Sequence, residues 1–149
     1  MARFGSGYRT TGAGSTTLPV ASLYATAAVR PQLIEVGCFN TTTTAVTLQV
    51  VRLSTAGTSS AITTGGYEDD NSKTAVATPR DTHTGAPTVA GGRIRQFSLG
   101  AAVGSGVILT FGGGKTSGVL IPNTTGDGVG VLVATGTGQI LDVYWVWDE

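Results

Sequence analysis

Charged side chains are scarce in this sequence. Asp, Glu, Lys and Arg make up 12% of the 149 residues, and nine acidic residues balance nine basic ones; the usual charged share is about 25%. Because net charge helps to keep soluble proteins apart, this composition predicts a mostly neutral surface and easy self-association. It also argues against nucleic-acid binding, which needs a clustered positive field, since no basic stripe extends beyond Arg93 and Arg95.

Cysteine and long apolar runs are also rare. Cys38 is the single cysteine, which excludes an intramolecular disulfide and a multi-cysteine zinc site. The apolar runs are far too short to span a bilayer, and no apolar segment of the secretory type lies between Arg3 and Arg9. We therefore expect a fold held by packing alone, with no membrane partner.

Recognisable catalytic and ligand-binding motifs are missing. His83 is the single histidine and is predicted to be a surface or turn residue, because no nucleophile motif accompanies it. The stretch 112–116 ends like a phosphate-binding loop, but the required first glycine is replaced by Leu109. The acidic cluster at 68–71 lacks the alternate spacing of a calcium loop and is interpreted as solvated. We expect neither an enzyme nor a cofactor, a metal or a small-molecule substrate.

Alternation of apolar and polar residues is present and predicts strands. Leu33–Phe39 and Ala45–Leu53 are interpreted as an antiparallel hairpin with Val36 and Cys38 facing inward, where the thiol acts as a small hydrophobe. In the final strand, Trp145 and Trp147 share one apolar face. Because the opposite face is also mostly apolar, this strand is predicted to lie centrally or at an interface.

Short β-rich runs divided by glycine-bearing turns fill the last third of the chain. These runs are 93–99, 107–111, 119–121, 129–134 and 140–147. The intervening Gly-X-Gly triplets at 104–106, 126–128 and 136–138 are interpreted as tight turns. With 18–24 as a first strand, the count is about eight. The prediction is an all-β, single-domain antiparallel β-sandwich, specifically a jelly roll, with other sandwiches or an open barrel as alternatives.

Two segments are predicted to lack regular structure. Residues 1–17 are interpreted as a flexible N-terminal arm, with a frayed terminus as the alternative. Its isolated aromatic and arginine side chains are candidate partner contacts, since such side chains supply most interface energy: Arg3, Phe4, Tyr8 and Arg9. Residues 18–149 form the predicted domain, with a loop-rich segment around 54–92.

Three stretches carry a resemblance to a known group of proteins. They are LIEVGCFNTTTTAVTLQVVRLSTAGT at 33–58, LGAAVGSGVILTFGG at 99–113 and IPNTTGDGVGVLVATGTGQILDVYWVWDE at 121–149. Together they resemble small virion proteins of tailed bacteriophages. Within that group the chain is similar to head decoration, or cement, proteins, which are β-sandwich or jelly-roll units bound outside a capsid shell.

The resemblance implies a structural role. We expect a capsid decoration protein, made in the bacterial host cytoplasm, that binds the major capsid protein on the outer surface of the head. We also expect it to associate with itself as a homodimer or homotrimer. The alternatives are a tail or neck component, and a carbohydrate-binding jelly roll that stacks sugars on Trp145, Trp147 or tyrosines. The apolar face that the two tryptophans share argues against their use as such platforms.

Overall fold

The computed structural model describes residues 1–62, 73–112 and 118–149, and its regular elements within those ranges are eleven β-strands. Many of them are rich in the β-branched and aromatic residues that favour a pleated, half-buried surface. In chain order they are β1 (Arg3–Arg9), β2 (Ala21–Tyr24), β3 (Gln32–Asn40), β4 (Val46–Leu53), β5 (Thr58–Ala61), β6 (Thr78–Gly85), β7 (Val89–Leu99), β8 (Gly106–Thr110), β9 (Val119–Leu120), β10 (Gly128–Thr135) and β11 (Leu141–Asp148).

The strands form two antiparallel sheets. The first sheet has the order β1-β11-β3-β8, and the short β9 pairs with β3 beside β8. The second sheet has the order β5-β6-β2-β10-β4-β7. The all-β class predicted from the sequence is therefore confirmed, but the described strands number eleven rather than about eight.

Both sheets contribute to one hydrophobic core in a sandwich-like arrangement. Along β11, buried and half-buried residues alternate strictly, and Trp145 and Trp147 have no exposed surface. As predicted, β11 is a central strand, between β1 and β3. Cys38 also lies in the core, where burial raises the pKa of its thiol to about 12. Full burial of a large apolar side chain contributes about 1.5–3 kcal/mol, so the tryptophans are major contributors to stability.

The predicted hairpin between β3 and β4 is wrong. Both strands exist, but β3 belongs to the first sheet and β4 to the second, so the connection crosses between sheets. Asn40 shapes this crossing. Its buried side-chain amide donates to the carbonyls of Thr44 and Gly100, at 2.7 and 3.0 Å, and its Oδ1 accepts from the backbone N–H of Thr42 at 3.0 Å. The threonine run thus wraps around an asparagine instead of closing a hairpin.

The predicted flexible arm is also wrong for its first half. β1 pairs with β11 along its whole length, from Arg3 opposite Asp148 to Arg9 opposite Asp142. Phe4 is 2% exposed and stacks on Trp147, with ring centroids 5.9 Å apart. The sequence concealed this strand because its outward positions include glycines, which leave no clear period of two.

The second half of the predicted arm is anchored by a buried carboxylate. Asp81, on β6, is 2% exposed and accepts hydrogen bonds from the backbone N–H and the hydroxyl of Thr11, both at 3.0 Å. Further along, Ser15 and Leu18 close a turn by a backbone bond of 2.8 Å. Residues 10–18 therefore follow a defined path from the first sheet to the second.

The segment predicted to be loop-rich, 54–92, contains β5, β6 and the start of β7. Here β5 and β6 extend the second sheet beyond β2. The acidic cluster at 68–71 lies outside the described residues, as do residues 113–116 of the stretch that ends like a phosphate-binding loop.

The predicted tight turns are confirmed at the first two Gly-X-Gly triplets, where the backbone N–H of Ser105 donates to Ala102 and that of Asp127 donates to Thr124. The third triplet begins in a bend instead. The first glycine of each triplet has a positive φ, which L-residues rarely adopt: 84° at Gly104, 99° at Gly126 and 92° at Gly136. The two turns directly precede β8 and β10, and the bend at Gly136 begins the connection between β10 and β11.

Candidate functional site

The outer face of the first sheet carries an unusual combination of glycines and aromatic residues. Strand pairing places Tyr144 between Gly7 on β1 and Gly37 on β3, and Gly37 lies opposite Ile108 on β8. Two residues further along the strands, on the same face, Phe39 lies between Asp142 and Gly106. Since neighbouring positions along each strand face the core, these residues form the surface turned away from it.

The two aromatic rings lie across glycines. A Cβ atom added at Gly37 would lie 2.1 Å from Cε1 of Tyr144, and one added at Gly106 would lie 2.1 Å from Cδ1 of Phe39. The two rings are near-parallel, with centroids 6.3 Å apart and planes inclined by 22°. Only glycine leaves room for this arrangement, so the sequence pattern creates a flat aromatic surface, which we call the aromatic platform (Phe39 and Tyr144).

Polar groups border the aromatic platform on two sides. The Tyr144 hydroxyl donates to Oε1 of Glu35 at 2.6 Å, which holds the ring in place. At the other side, the Arg9 guanidinium donates from Nε and Nη2 to the two carboxylate oxygens of Asp142, at 2.7 and 2.8 Å. The hydrogen bond from Arg9 lowers the pKa of Asp142 below its ordinary value of 3.8, so this carboxylate is ionised at neutral pH.

An open groove of about 370 Å³ lies beside the aromatic platform. Its lining includes Gly7 on β1, both members of the ion pair (Arg9 and Asp142) and both platform residues (Phe39 and Tyr144). Ligand sites are concave, mostly apolar and supplied with a few polar groups that fix orientation. The groove has this composition, with volume near the lower end of the usual range of about 300–1,000 Å³.

The four residues predicted as partner contacts separate into two pairs. Arg3 and Arg9 lie on the outer face of the first sheet, and Arg3 donates to Asp148 at 2.8 and 3.0 Å. Phe4 is 2% exposed and belongs to the core, so its side chain is not accessible to a partner in the folded chain. Tyr8 is partly buried, and its hydroxyl accepts from Trp145 Nε1 at 3.1 Å while donating to a backbone carbonyl of β6 at 3.2 Å. Desolvation raises its pKa far above the ordinary value of 10.0.

Exposed apolar residues lie on β8 and in the turn before it. Ile108 on β8 is 54% exposed, and Val103, in the turn before β8, is 69% exposed. Ala101 and Ala102, beside Val103, are exposed as well. These side chains are candidates for an interaction site, because exposed apolar patches commonly mark one. Sequence reasoning missed this surface and the platform, because only strand register shows which residues become neighbours.

His83 is buried rather than on the surface, contrary to the sequence-based prediction. It is 8% exposed, and its Nε2 lies 2.9 Å from the hydroxyl oxygen of Ser22, which has no exposed surface. Burial lowers the pKa of His83 below its ordinary 6.5, so the ring is neutral at pH 7. Asp81 is nearby in sequence, but its carboxylate bonds Thr11 and Thr82. The serine hydroxyl is thus enclosed in the fold and does not face solvent.

Within the described ranges, no three or more His, Cys, Asp and Glu side chains are grouped so that they could hold a metal ion. In the same part of the chain, no helix is both long and apolar enough to cross a membrane. Comparisons with models of protein families, with curated proteins and with solved structures gave no match.

Proposed function

We propose that this chain is a jelly roll that serves as a non-enzymatic structural protein of a tailed-bacteriophage virion. Its proposed place is the outer surface of the capsid, where it binds across neighbouring major capsid subunits as a decoration, or cement, protein. The resemblance in 33–58, 99–113 and 121–149 suggests the virion. The arrangement of the strands supports the jelly roll, and the outer face of the first sheet supports the binding role.

Strand order supports the jelly roll. Eight of the strands pair in nested fashion: β1 with β11, β2 with β10, β3 with β8 and β4 with β7. This is the pattern of a long antiparallel hairpin rolled into two four-stranded sheets, β1-β11-β3-β8 and β2-β10-β4-β7. Jelly rolls with eight strands are common in viral capsid proteins and lectins. In this proposal, β5, β6 and β9 are additions to that framework.

The exposed apolar surface at Val103 and Ile108 is the observation that carries the binding role. It lies on a molecule with few charges and no net charge, so little electrostatic repulsion opposes docking. A decoration protein stabilises the shell because it binds the assembled shell and not its separated subunits. The stabilisation is about 4 kcal/mol per site when the concentration of free protein is a thousandfold above Kd.

The direct experiment uses shells assembled from the major capsid protein of the phage in which this chain is proposed to function. We expect the purified protein to cosediment with shells and to raise their disruption temperature. Val103→Asp with Ile108→Asp weakens both effects, because each carboxylate would have to lose its water on docking. Val89→Asp is the matched control, since Val89 is also an exposed valine, at 44%, but lies in the second sheet. Absence of binding by the unmodified protein would contradict the proposal.

A tail or neck component is the alternative structural role. The two roles differ in copy number, because a decoration protein covers the whole head whereas a neck component is present in few copies. An electron cryomicroscopy map of the particle gives the location and the copy number together. Light scattering of the purified protein measures the proposed dimer or trimer.

A further inference from the structure

We infer that the groove beside the aromatic platform is a binding site for a neutral pyranose sugar. The inference goes beyond the proposed virion role and does not depend on it. It rests on three features of the outer face of the first sheet: a flat aromatic surface, an ion pair with no net charge, and a groove that both of them line.

The aromatic platform suits the apolar face of a sugar ring. Tyr144 and Phe39 are held flat because Gly37 and Gly106 leave space beneath them, and the bond to Glu35 holds Tyr144 at its far end. A pyranose presents C–H groups on its faces and hydroxyls around its edge. Stacking on a fixed aromatic ring buries the C–H groups and leaves the hydroxyls to meet polar side chains.

The ion pair suits the sugar's edge. Arg9 and Asp142 place donors and acceptors side by side, as two neighbouring hydroxyls require, and the guanidinium carries more N–H donors than its two bonds to Asp142 use. Both side chains are well exposed, at 65% and 45%, and so are accessible to a ligand. A charged ligand would place a like charge against one member of the ion pair. The hydroxyls of a neutral polyol, in contrast, can form hydrogen bonds with both members.

The tryptophans have no part in this site. Trp145 and Trp147 are fully buried, so stacking of sugars on them is excluded in the folded chain. The site depends instead on Tyr144, the residue just before Trp145, which points to the opposite face of the same strand.

Nuclear magnetic resonance titration of the full chain with glucose, galactose, mannose and N-acetylglucosamine, each at millimolar concentration, tests the inference. We expect at least one sugar to give saturable shifts confined to the strands around the groove. Tyr144→Ala should weaken that binding about tenfold through loss of the stacking ring. Arg9→Gln should weaken it severalfold with little risk to folding, because Arg9 lies at the surface.

Val89→Ala is the control, since Val89 is exposed in the second sheet and does not line the groove. The affinity of this variant for the sugar should be unchanged. Folding of each variant is verified by its thermal transition. The inference is overturned if none of the four sugars gives saturable shifts, or if both Tyr144→Ala and Arg9→Gln bind as tightly as the original chain. Shifts at the groove that depend on protein concentration and not on sugar would also overturn the inference. They would show that this face binds a second copy of the chain.

Discussion

Single glycines decide the shape of the outer face of the first sheet. Gly37 lies in the middle of a nine-residue strand, a position where glycine normally weakens a sheet. Here it accommodates the ring of Tyr144 from the neighbouring strand. Residue choice at 37 therefore follows from a side chain more than 100 positions away, which is why no local rule predicts it.

Gly37→Ala should lower the free energy of unfolding by about 1–2 kcal/mol, because the new methyl group displaces the Tyr144 ring. Gly92→Ala is the matched control: a Cβ there meets nothing within 4 Å, so stability should change little. Urea denaturation measures both. In a Tyr144→Ala background the cost of Gly37→Ala should disappear, and an unchanged cost would show that the ring is not the cause.

His83 contributes a pH dependence to stability. Burial lowers its pKa, so the unfolded chain binds a proton more tightly than the folded chain. Its full contribution to stability is therefore present above pH 6.5 and decreases as the pH falls below that value. Urea midpoints measured between about pH 7.5 and about pH 5 should show this loss.

The matched variant for this dependence is His83→Gln, which keeps a polar group near Ser22 and does not titrate. Its midpoint should fall less over the same pH range than that of the original chain. If the urea midpoints of both proteins fall equally, groups other than His83 cause the pH dependence of stability. Asp142 contributes little in this range, because its pKa is about 3.8 in the unfolded chain and lower in the folded chain, both below pH 5.

At the scale of elements, β1 shows that an edge strand can depend on very few side chains. Phe4 and Tyr8 point inward and the glycines outward, so that two aromatic residues attach the strand to the core. The remaining attachment is the backbone pairing with β11. A segment this poor in apolar residues forms a strand because a partner with a full apolar face is available.

Phe4→Ala should lower the free energy of unfolding by about 3 kcal/mol, since it leaves a cavity beside Trp147. Arg3→Gln should cost less than about 1 kcal/mol, because its ion pair with Asp148 is exposed. A flexible arm would make both substitutions neutral. Chemical denaturation followed by tryptophan fluorescence separates these outcomes.

At the scale of the whole molecule, the topology joins the ends of the chain. β1 pairs with β11, and the backbones of Ala2 and Glu149 exchange two hydrogen bonds of 2.7 and 3.0 Å. The Glu149 carboxylate also accepts from the backbone N–H groups of Val76 and Ala77. Distant parts of the sequence must therefore meet before the core closes, and both sheets share that core.

This topology predicts cooperative and slow folding. Tryptophan fluorescence reports on β11 in the first sheet, whereas far-ultraviolet circular dichroism reports on both sheets; their urea transitions should coincide. Refolding after dilution should take milliseconds to seconds, as is usual for all-β domains with non-local pairing. A fluorescence transition distinct from the dichroism transition would show that the sheets unfold separately.

The sequence by itself determined the all-β class, the buried face of β11, the core position of Cys38 and the tight glycine turns. Each of these depends on local information, namely a period of two along a strand or a backbone conformation that favours glycine. Such patterns state which face of a strand is buried. They do not state which strand lies beside it.

Only the tertiary structure decided the pairing of strands. It separated β3 from β4, turned the predicted arm into β1, and buried His83 against Ser22. It also brought Phe39, Tyr144, Arg9 and Asp142 together from three strands. The physical reason is that pairing reflects the best burial available to the whole chain, so neighbours in the sheets come from positions that are distant in the sequence.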